Sequence, residues 1–361
     1  MRLRIAHTTS YRYEPPATGV IQVLRMTPGS HDGQYVAEWQ IDVSTDSRLD
    51  VHQDAFGNVT HVLTHGPLAD LTINVDGLIE THDTGGVLRG TDERFPPSLF
   101  LRSTALTEVN PAMATFAREL RSESGDDVLG FLHALMVQIN EHMTFDEDPT
   151  NSGTSAAEAF ALKRGVCQDY AHIFITCARS GGVPARFVSG HFLRSDGTVN
   201  QAAGHAWAEA YVPDLGWVGF DPANGICTTD AHARVAIGLD YLGAAPVRGT
   251  RYGGGTETLT VAVKVDQAGR PGQWQSQHPN FTFIPVLSEP LPEDAWPGRT
   301  GFVHAAVAAD FPDLSGYQVY ACGGPLMIDA ARSEFTLKHG LPAEEFFADS
   351  FTYAAEIEAR S

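Results

Sequence analysis

Two hydrophobic periods divide this chain. Up to about Thr84 apolar and polar residues alternate in short runs: Ala37-Glu38-Trp39-Gln40-Ile41-Asp42-Val43, then Val59-Thr60-His61-Val62-Leu63, then Leu71-Thr72-Ile73-Asn74-Val75. Alternation sends one set of side chains to each face of a strand, so these runs predict an antiparallel β-module of sandwich type. Asp54-Ala55-Phe56-Gly57-Asn58 reads as a hairpin turn within it. From Pro111 to Met143 the period changes, with Met113, Phe116 and Leu120, then Val128, Phe131, Leu132, Leu135 and Ile139, recurring at helical intervals. A short helix is predicted over 156–160. A longer one covers 167–179, entered through Arg164-Gly165-Val166 and stopped by Gly181-Gly182. Residues 183–190, 205–212 and 216–220 are expected as strands of one sheet, and 258–265 alternates again and closes this region.

Past Val265 the chain turns polar and rich in Gly and Gln, which is linker chemistry over 267–277. In the tail, 281–286 and 319–322 read as strands and 327–339 as a helix stopped at Gly340. The expected division is a β-rich module over 1–95, a core over 96–266, the linker, and an α/β tail over 278–361. No internal repeat interrupts it.

Composition narrows the functional classes. The 361 residues, 43% hydrophobic and 19% charged, suffice for full cores in two or three domains. With 44 acidic against 24 basic residues, the net charge of −20 argues against nucleic acid or an anionic membrane as a partner. Cys167, Cys177, Cys227 and Cys322 are too scattered for a disulfide framework and form no Cys-x-x-Cys pair. Met1 to His7 leads into polar residues rather than an apolar leader, and no long uncharged apolar run follows. A reducing, cytoplasmic setting is the expectation. His7, His31, His52, His61, His65 and His82 lack ligand spacing, and no acidic loop has calcium spacing, so neither a metal nor another cofactor is expected.

The chemistry concentrates between 165 and 222. Cys167 stands at the first turn of its predicted helix, where free backbone N–H groups and the positive end of the macrodipole stabilise a thiolate. Cys177, further along the same helix among Ile173, Phe174, Ile175 and Ala178, reads as a small buried residue, and Cys227 has no histidine motif beside it. His205 opens a strand on which Trp207, Glu209 and Tyr211 share its face, placing a general base at the strand end. Asp221 ends the next strand, and Pro222 stops the ladder. A carboxylate there would fix the ring's tautomer and stabilise imidazolium. An inert core cysteine and a structural histidine are the bland alternatives.

Hairpin register decides between them. If Val212 pairs with Trp217 across a four-residue loop, Asp221 faces away from His205. A three- or five-residue loop, or a bulge, restores His205 opposite Asp221 on the same face, and one of these is expected. Asn224 beside the imidazole would instead make a Cys-His-Asn set.

Gly165-Val166-Cys167-Gln168-Asp169-Tyr170-Ala171-His172, the segment Gly182-Val183-Pro184-Ala185-Arg186-Phe187-Val188-Ser189-Gly190, the segment Gly204-His205-Ala206-Trp207-Ala208-Glu209-Ala210-Tyr211, and Gly216-Trp217-Val218-Gly219-Phe220-Asp221-Pro222 together resemble the transglutaminase-like family, in its bacterial form with an N-terminal β-module. The resemblance covers about 1–277. It implies an α+β fold: a papain-like transglutaminase core preceded by a β-sandwich-like module. It further implies that Cys167 attacks an amide of a protein or peptide substrate, His205 moves the proton, Asp221 orients the ring, and the Cys167 N–H is one oxyanion donor. A thioester then passes its acyl group to water or an amine. Asp169 and His172 are expected to cap or pack the helix.

The tail is similar to something else. His278-Pro279-Asn280-Phe281 to Ser288, Tyr317 to Arg332 with Cys322-Gly323-Gly324-Pro325, and Phe346 to Phe351 resemble the C-terminal half of the NAD(P)-binding domain of ferredoxin-reductase-type flavoproteins, with Gly324 where the family has a proline. A C-terminal α/β fragment is implied. Without the flavin domain and the glycine-rich first turn of such a domain, the expectation is a remnant or a docking module for a flavoprotein reductase partner rather than an active reductase.

Overall fold

The computed structural model describes residues 1–253, 255–268, 282–288 and 296–350. Two units result, Met1–Ala268 and Gly269–Ser361. The expected linker lies outside the described residues from Gly269 onward.

The first unit begins with a β-sandwich. One sheet carries five strands in the order Asn200–Gln201, Thr256–Gln267, Arg2–Ala17, Leu68–Thr81, Gln34–Val43; the other has Val247–Tyr252, Gly19–Thr27, Val59–His65, Leu49–Gln53. Their alternating inward residues, among them Tyr11, Leu24, Met26, Leu63, Leu71 and Ile73, form a shared core. Asp54 builds the hairpin turn by accepting from the Phe56 and Asn58 N–H groups at 3.0 and 3.1 Å.

The strand at 258–265, expected to close the core, pairs instead with the first strand of the chain, from Leu3 opposite Gln267 to Glu14 opposite Thr256. Val247–Tyr252 likewise pairs with Gly19–Thr27. Boundaries at 95 and 266 therefore cut through a sandwich that the chain completes only on its return. The physical reason is plain: alternation fits any antiparallel sheet and does not name a partner.

The core places helix Cys167–Ser180 against a sheet ordered Ile226–Cys227, Gly216–Asp221, His205–Val212, Ala185–Phe192, His232–Gly238. Ala206, Ala208, Ala210, Val218, Phe220 and Phe187 face the helix, meeting Ala171, Phe174 and Ile175. Helices Pro111–Ser124 and Val128–His142 back it, each started by a side-chain cap: Asn110 accepts from Met113 N–H at 2.9 Å and Asp127 from Gly130 N–H at 2.8 Å. Sandwich and core are stitched by paired amide bonds. Gln34 donates to Arg234 C=O and accepts its N–H, both at 2.8 Å, and Asn58 does the same with Ile237, also at 2.8 Å.

In the second unit, strands Val319–Gly323 and Phe346–Ser350 pair in parallel, and helix Pro325–Lys338 packs Ile328, Ala331 and Phe335 on them. The strand expected at 281–286 is reduced to Val286–Leu287, paired in parallel with Arg299–Thr300; Phe281 itself lies outside the described residues. Phe283 and Ile284 are exposed, and apolar character without a pairing partner makes no strand.

Candidate active site

Local chemistry fixes the position of Cys167 first. Val166 precedes the helix, and Asp169 turns back to accept its N–H at 2.8 Å, with a second donor, Thr150 Oγ1, at 2.7 Å. Gly165 is what leaves room for that carboxylate, since a Cβ there would stand 2.4 Å from Asp169 Oδ2. Cys167 is thereby held at the first helical position, half-buried, with its thiol free. His172 is buried and accepts the Tyr241 N–H through Nε2 at 3.0 Å; burial pushes its pKa down to about 4, in keeping with a neutral acceptor. Cys177 is wholly buried, and burial drives its thiol far up.

The hairpin turns through Pro213-Asp214-Leu215, because Val212 pairs with Gly216 and Ala208 with Phe220. Asp214 and Gly216 take left-handed backbone, with φ of 67° and 87°, which closes a three-residue loop. This register puts Asp221 on the face of His205 and Trp207. His205 Nε2 lies 2.7 Å from Asp221 Oδ2, which leaves Nδ1 for the Cys167 thiol that lines the same cleft. Gly190 stands opposite His205 in the sheet, where any Cβ would collide with Ala233 C=O and the Trp207 ring.

Sequence reasoning missed part of what surrounds the aspartate. Asp221 is fully buried and its Oδ2 accepts from His205, from Asn224 Nδ2 at 2.6 Å and from His232 Nε2 at 3.2 Å. Asn224 therefore serves the carboxylate rather than replacing it, although it lies 3.4 Å from His205 Nε2. Burial alone would lower the His205 pKa, but the Asp221 charge and hydrogen bond, then the bond with Cys167, outweigh it and carry the ring up to about 10. Burial likewise opposes ionised Asp221, yet the His205 charge and the bonds from both imidazoles hold its carboxyl well below the usual range.

His205, Asp221 and His232 bring their ligand atoms within 4.8 Å of one another, which raises the question of a cation. Thr229 N–H donates to His232 Nδ1 at 3.0 Å, so the ring proton sits on Nε2 and that nitrogen has no lone pair for a metal. The donor set fits a hydrogen-bond network.

Thiol and imidazole open into a cleft of about 820 Å³ between core and sandwich, lined by Cys167, His205, Phe192 and Tyr241 on one side and His7, Tyr11 and Val261 on the other. Burial, and then the charge of Cys167, raise the Tyr241 pKa, keeping it a neutral phenol in the cleft wall. On the same sheet face as His205, buried Glu209 accepts from Arg186 Nε and Arg234 Nε, both at 2.7 Å, and Arg186 stacks 3.9 Å over Trp217. Arg186, Glu209 and Trp217 of the quoted segments thus build the scaffold beneath the site.

Three segments of the chain match known protein families. Residues 114–222 match the transglutaminase-like superfamily, residues 3–80 the bacterial transglutaminase-like N-terminal region, and residues 269–333 the oxidoreductase NAD-binding domain. The chain thus carries a transglutaminase-like core behind the N-terminal region of its bacterial branch, with an NAD-binding-type segment at its C-terminus. A protein of Mycobacterium leprae, ML0607, is 29% identical over 73% of this chain and 98% of its own length. A solved structure of a candidate cysteine protease from Cytophaga hutchinsonii has the same fold, with a TM-score of 0.60 at 18% identity over 75% of this chain and 91% of that one. The tail is 49% identical to CDP-6-deoxy-L-threo-D-glycero-4-hexulose-3-dehydrase reductase of Yersinia pestis over 79 residues, which span only 23% of that reductase.

A dinucleotide site needs a crevice at the ends of neighbouring parallel strands. Among the described residues the second unit offers two parallel strand pairs, Val286–Leu287 with Arg299–Thr300 and Val319–Gly323 with Phe346–Ser350, and helices Val303–Asp310 and Pro325–Lys338, the latter starting after Gly324.

Proposed function

We propose that this protein is a cysteine-dependent acyl-transfer enzyme acting on amides of protein or peptide substrates, with Cys167 as nucleophile, His205 as proton carrier and Asp221 as its orienter. The observation that carries the reading is the 2.7 Å contact of His205 Nε2 with a fully buried carboxylate while the same ring and the Cys167 thiol line one large cleft. An imidazolium so placed is the counter-charge a thiolate needs. In the first step the sulfur attacks the amide carbonyl carbon, the C–N bond breaks, His205 gives its proton to the departing nitrogen, and a thioester forms. In the second, water or an amine attacks that thioester while His205 takes the proton, and the thiol is regenerated. The Cys167 N–H, at a helix start where no intrahelical acceptor exists, faces the developing oxyanion.

Mass spectrometry of a glutamine-containing peptide pool, with and without a primary amine, distinguishes ammonia loss, amine gain and backbone cleavage. All three are expected to vanish in Cys167→Ala; a product persisting in that variant refutes the mechanism. A second reading rests on the NAD-binding likeness of 269–333: docking to an NAD(P)H-dependent flavoprotein reductase. Saturable binding in an NADH titration followed by nicotinamide fluorescence would favour it.

A further inference from the structure

The acyl-transfer reading uses one imidazole on Asp221, yet two converge on the same oxygen. His232 also reaches Oδ2, its side chain 2% exposed and its ring centroid 6.1 Å from that of His205. Its two nitrogens are both committed. Thr229 N–H donates to Nδ1 at 3.0 Å, so Nε2 must carry the hydrogen, and that hydrogen points to Asp221 at 3.2 Å. Such a ring cannot pass a proton along, because giving up the Nε2 hydrogen would leave an imidazolate. It acts as a fixed donor.

The other donors to Asp221 lack this fixity. Asn224 is exposed at the cleft rim, where water competes for its amide, and His205 has to change protonation state during turnover. His232 is anchored on three sides. Its strand pairs it with Phe192, its ring sits 4.6 Å from the Phe192 ring and 5.3 Å edge-on to Trp207, and the loop before it is tied to the sandwich by Thr81 Oγ1 donating to Asp230 C=O at 2.5 Å. We infer that His232 is a positioning residue of the acyl-transfer site: a neutral, immobile N–H donor that aims the Asp221 carboxylate at His205, held in place by the N-terminal module. This rests on the reading above and adds a fourth member to its machinery.

The test exploits the two things His232 supplies, a flat ring between aromatic neighbours and an N–H. His232→Phe keeps the ring and loses the donor; His232→Gln keeps a donor at the Nε2 position and loses the ring. The readout is the rate of Cys167 alkylation by iodoacetamide on the full chain, followed by mass spectrometry across the pH range, which needs no known substrate. Titratable groups beside His232 are His205 and Asp221 on one side and His31, His82, Glu209 and Arg234 around the small cavity on the other, so each variant is profiled over the whole range. Losing a hydrogen bond to a buried charge predicts a fall of about tenfold for His232→Phe at neutral pH, with the acid limb moved to higher pH, while His232→Gln stays within about twofold of the parent. Loss in both variants, in His232→Gln alone, or in neither overturns the inference. Nitrogen-15 NMR of the histidines supplies a separate check: His232 is expected as the neutral Nε2–H tautomer around neutral pH, and an Nδ1–H tautomer or an imidazolium there overturns it. If the parent shows no selective labelling of Cys167, the acyl-transfer reading fails, while the tautomer measurement still decides the geometry.

Discussion

Replacing Asp221 by Asn tests the site most directly, since it changes one oxygen and no volume. The carboxylate now accepts from His205, His232 and the Asn224 side chain through Oδ2, and from the Asn224 N–H through Oδ1 at 3.3 Å. An amide keeps one acceptor oxygen and turns an –NH₂ toward groups that also donate, so at least one buried donor loses its partner and the imidazolium loses its counter-charge. The rise of His205 from 6.5 to about 10 corresponds to about 5 kcal/mol at about 1.4 kcal/mol per pH unit. Breaking a buried pair from one side typically costs about 3–5 kcal/mol, so the two scales agree. The sign sets the pH window. His205 is raised, so its contribution is complete below 6.5 and is lost as pH climbs through about 10. Asp221 is lowered, so its contribution is present above 3.8 and is lost as pH falls through its lower folded value. Urea unfolding of the parent and Asp221→Asn should differ by about 3–5 kcal/mol near pH 6, with the gap narrowing steadily toward pH 10. Alkylation of Cys167 at neutral pH should slow by roughly a thousandfold, because the ring then prefers the wrong tautomer. A stability gap below about 1 kcal/mol, or one flat in pH, would mean that the pair is not ionised as described.

Two further outcomes follow from other parts of the molecule. Glu209, 3% exposed between Arg186 and Arg234, should cost about 3–5 kcal/mol when changed to Gln, read as a lowered urea midpoint, because fully buried Arg186 is left with Glu93 alone and half-buried Arg234 loses its carboxylate partner; a loss below about 1 kcal/mol refutes the assignment of this cluster as scaffold. A chain ending at Ala268 should fold and label at Cys167 within about twofold of the full chain, because the first unit holds the sandwich, the core and Cys167, His205 and Asp221 together. Loss of labelling on truncation would give the tail a part in the site.

How much of this was legible in the sequence varies with the range of the interactions. Helix Cys167–Ser180 lies where the 167–179 expectation put it, since its start depends on Val166 and Asp169, three residues apart, and its end on Gly181. Strand His205–Val212 has the expected bounds. The three-residue turn was one of the arrangements that the hairpin argument allowed, since side-chain parity asks for an odd loop or a bulge without choosing among them. Directly across from Asp221 the register continues to Trp207, with His205 one step further along the same face, a refinement that parity cannot supply. Pairing between distant strands was not legible: nothing in the alternation of 258–265 says that its partner is the first strand of the chain. His232 was invisible for the same reason. It stands eleven residues past Asp221 in an unremarkable stretch and reaches the carboxylate only because its strand returns beside Phe192.

That contrast bears on what the quoted segments encode. Gly165 clears space for Asp169, Asp169 caps the helix under Cys167, Gly190 clears space for Trp207 opposite His205, and Arg186 with Glu209 cements the sheet face behind them. Most residues of the pattern therefore hold three others still. The chemical demand explains why. A thiolate and an imidazolium attract each other at any distance, but they transfer a proton and open a carbonyl only when sulfur, ring nitrogen and carboxylate are fixed to a fraction of an ångström. The Asp221 end of this chain is fixed by a residue outside the pattern, carried on a loop that the sandwich holds through Thr81. On this argument the N-terminal module acts on the site twice, as the far wall of the cleft and as the clamp behind its aspartate.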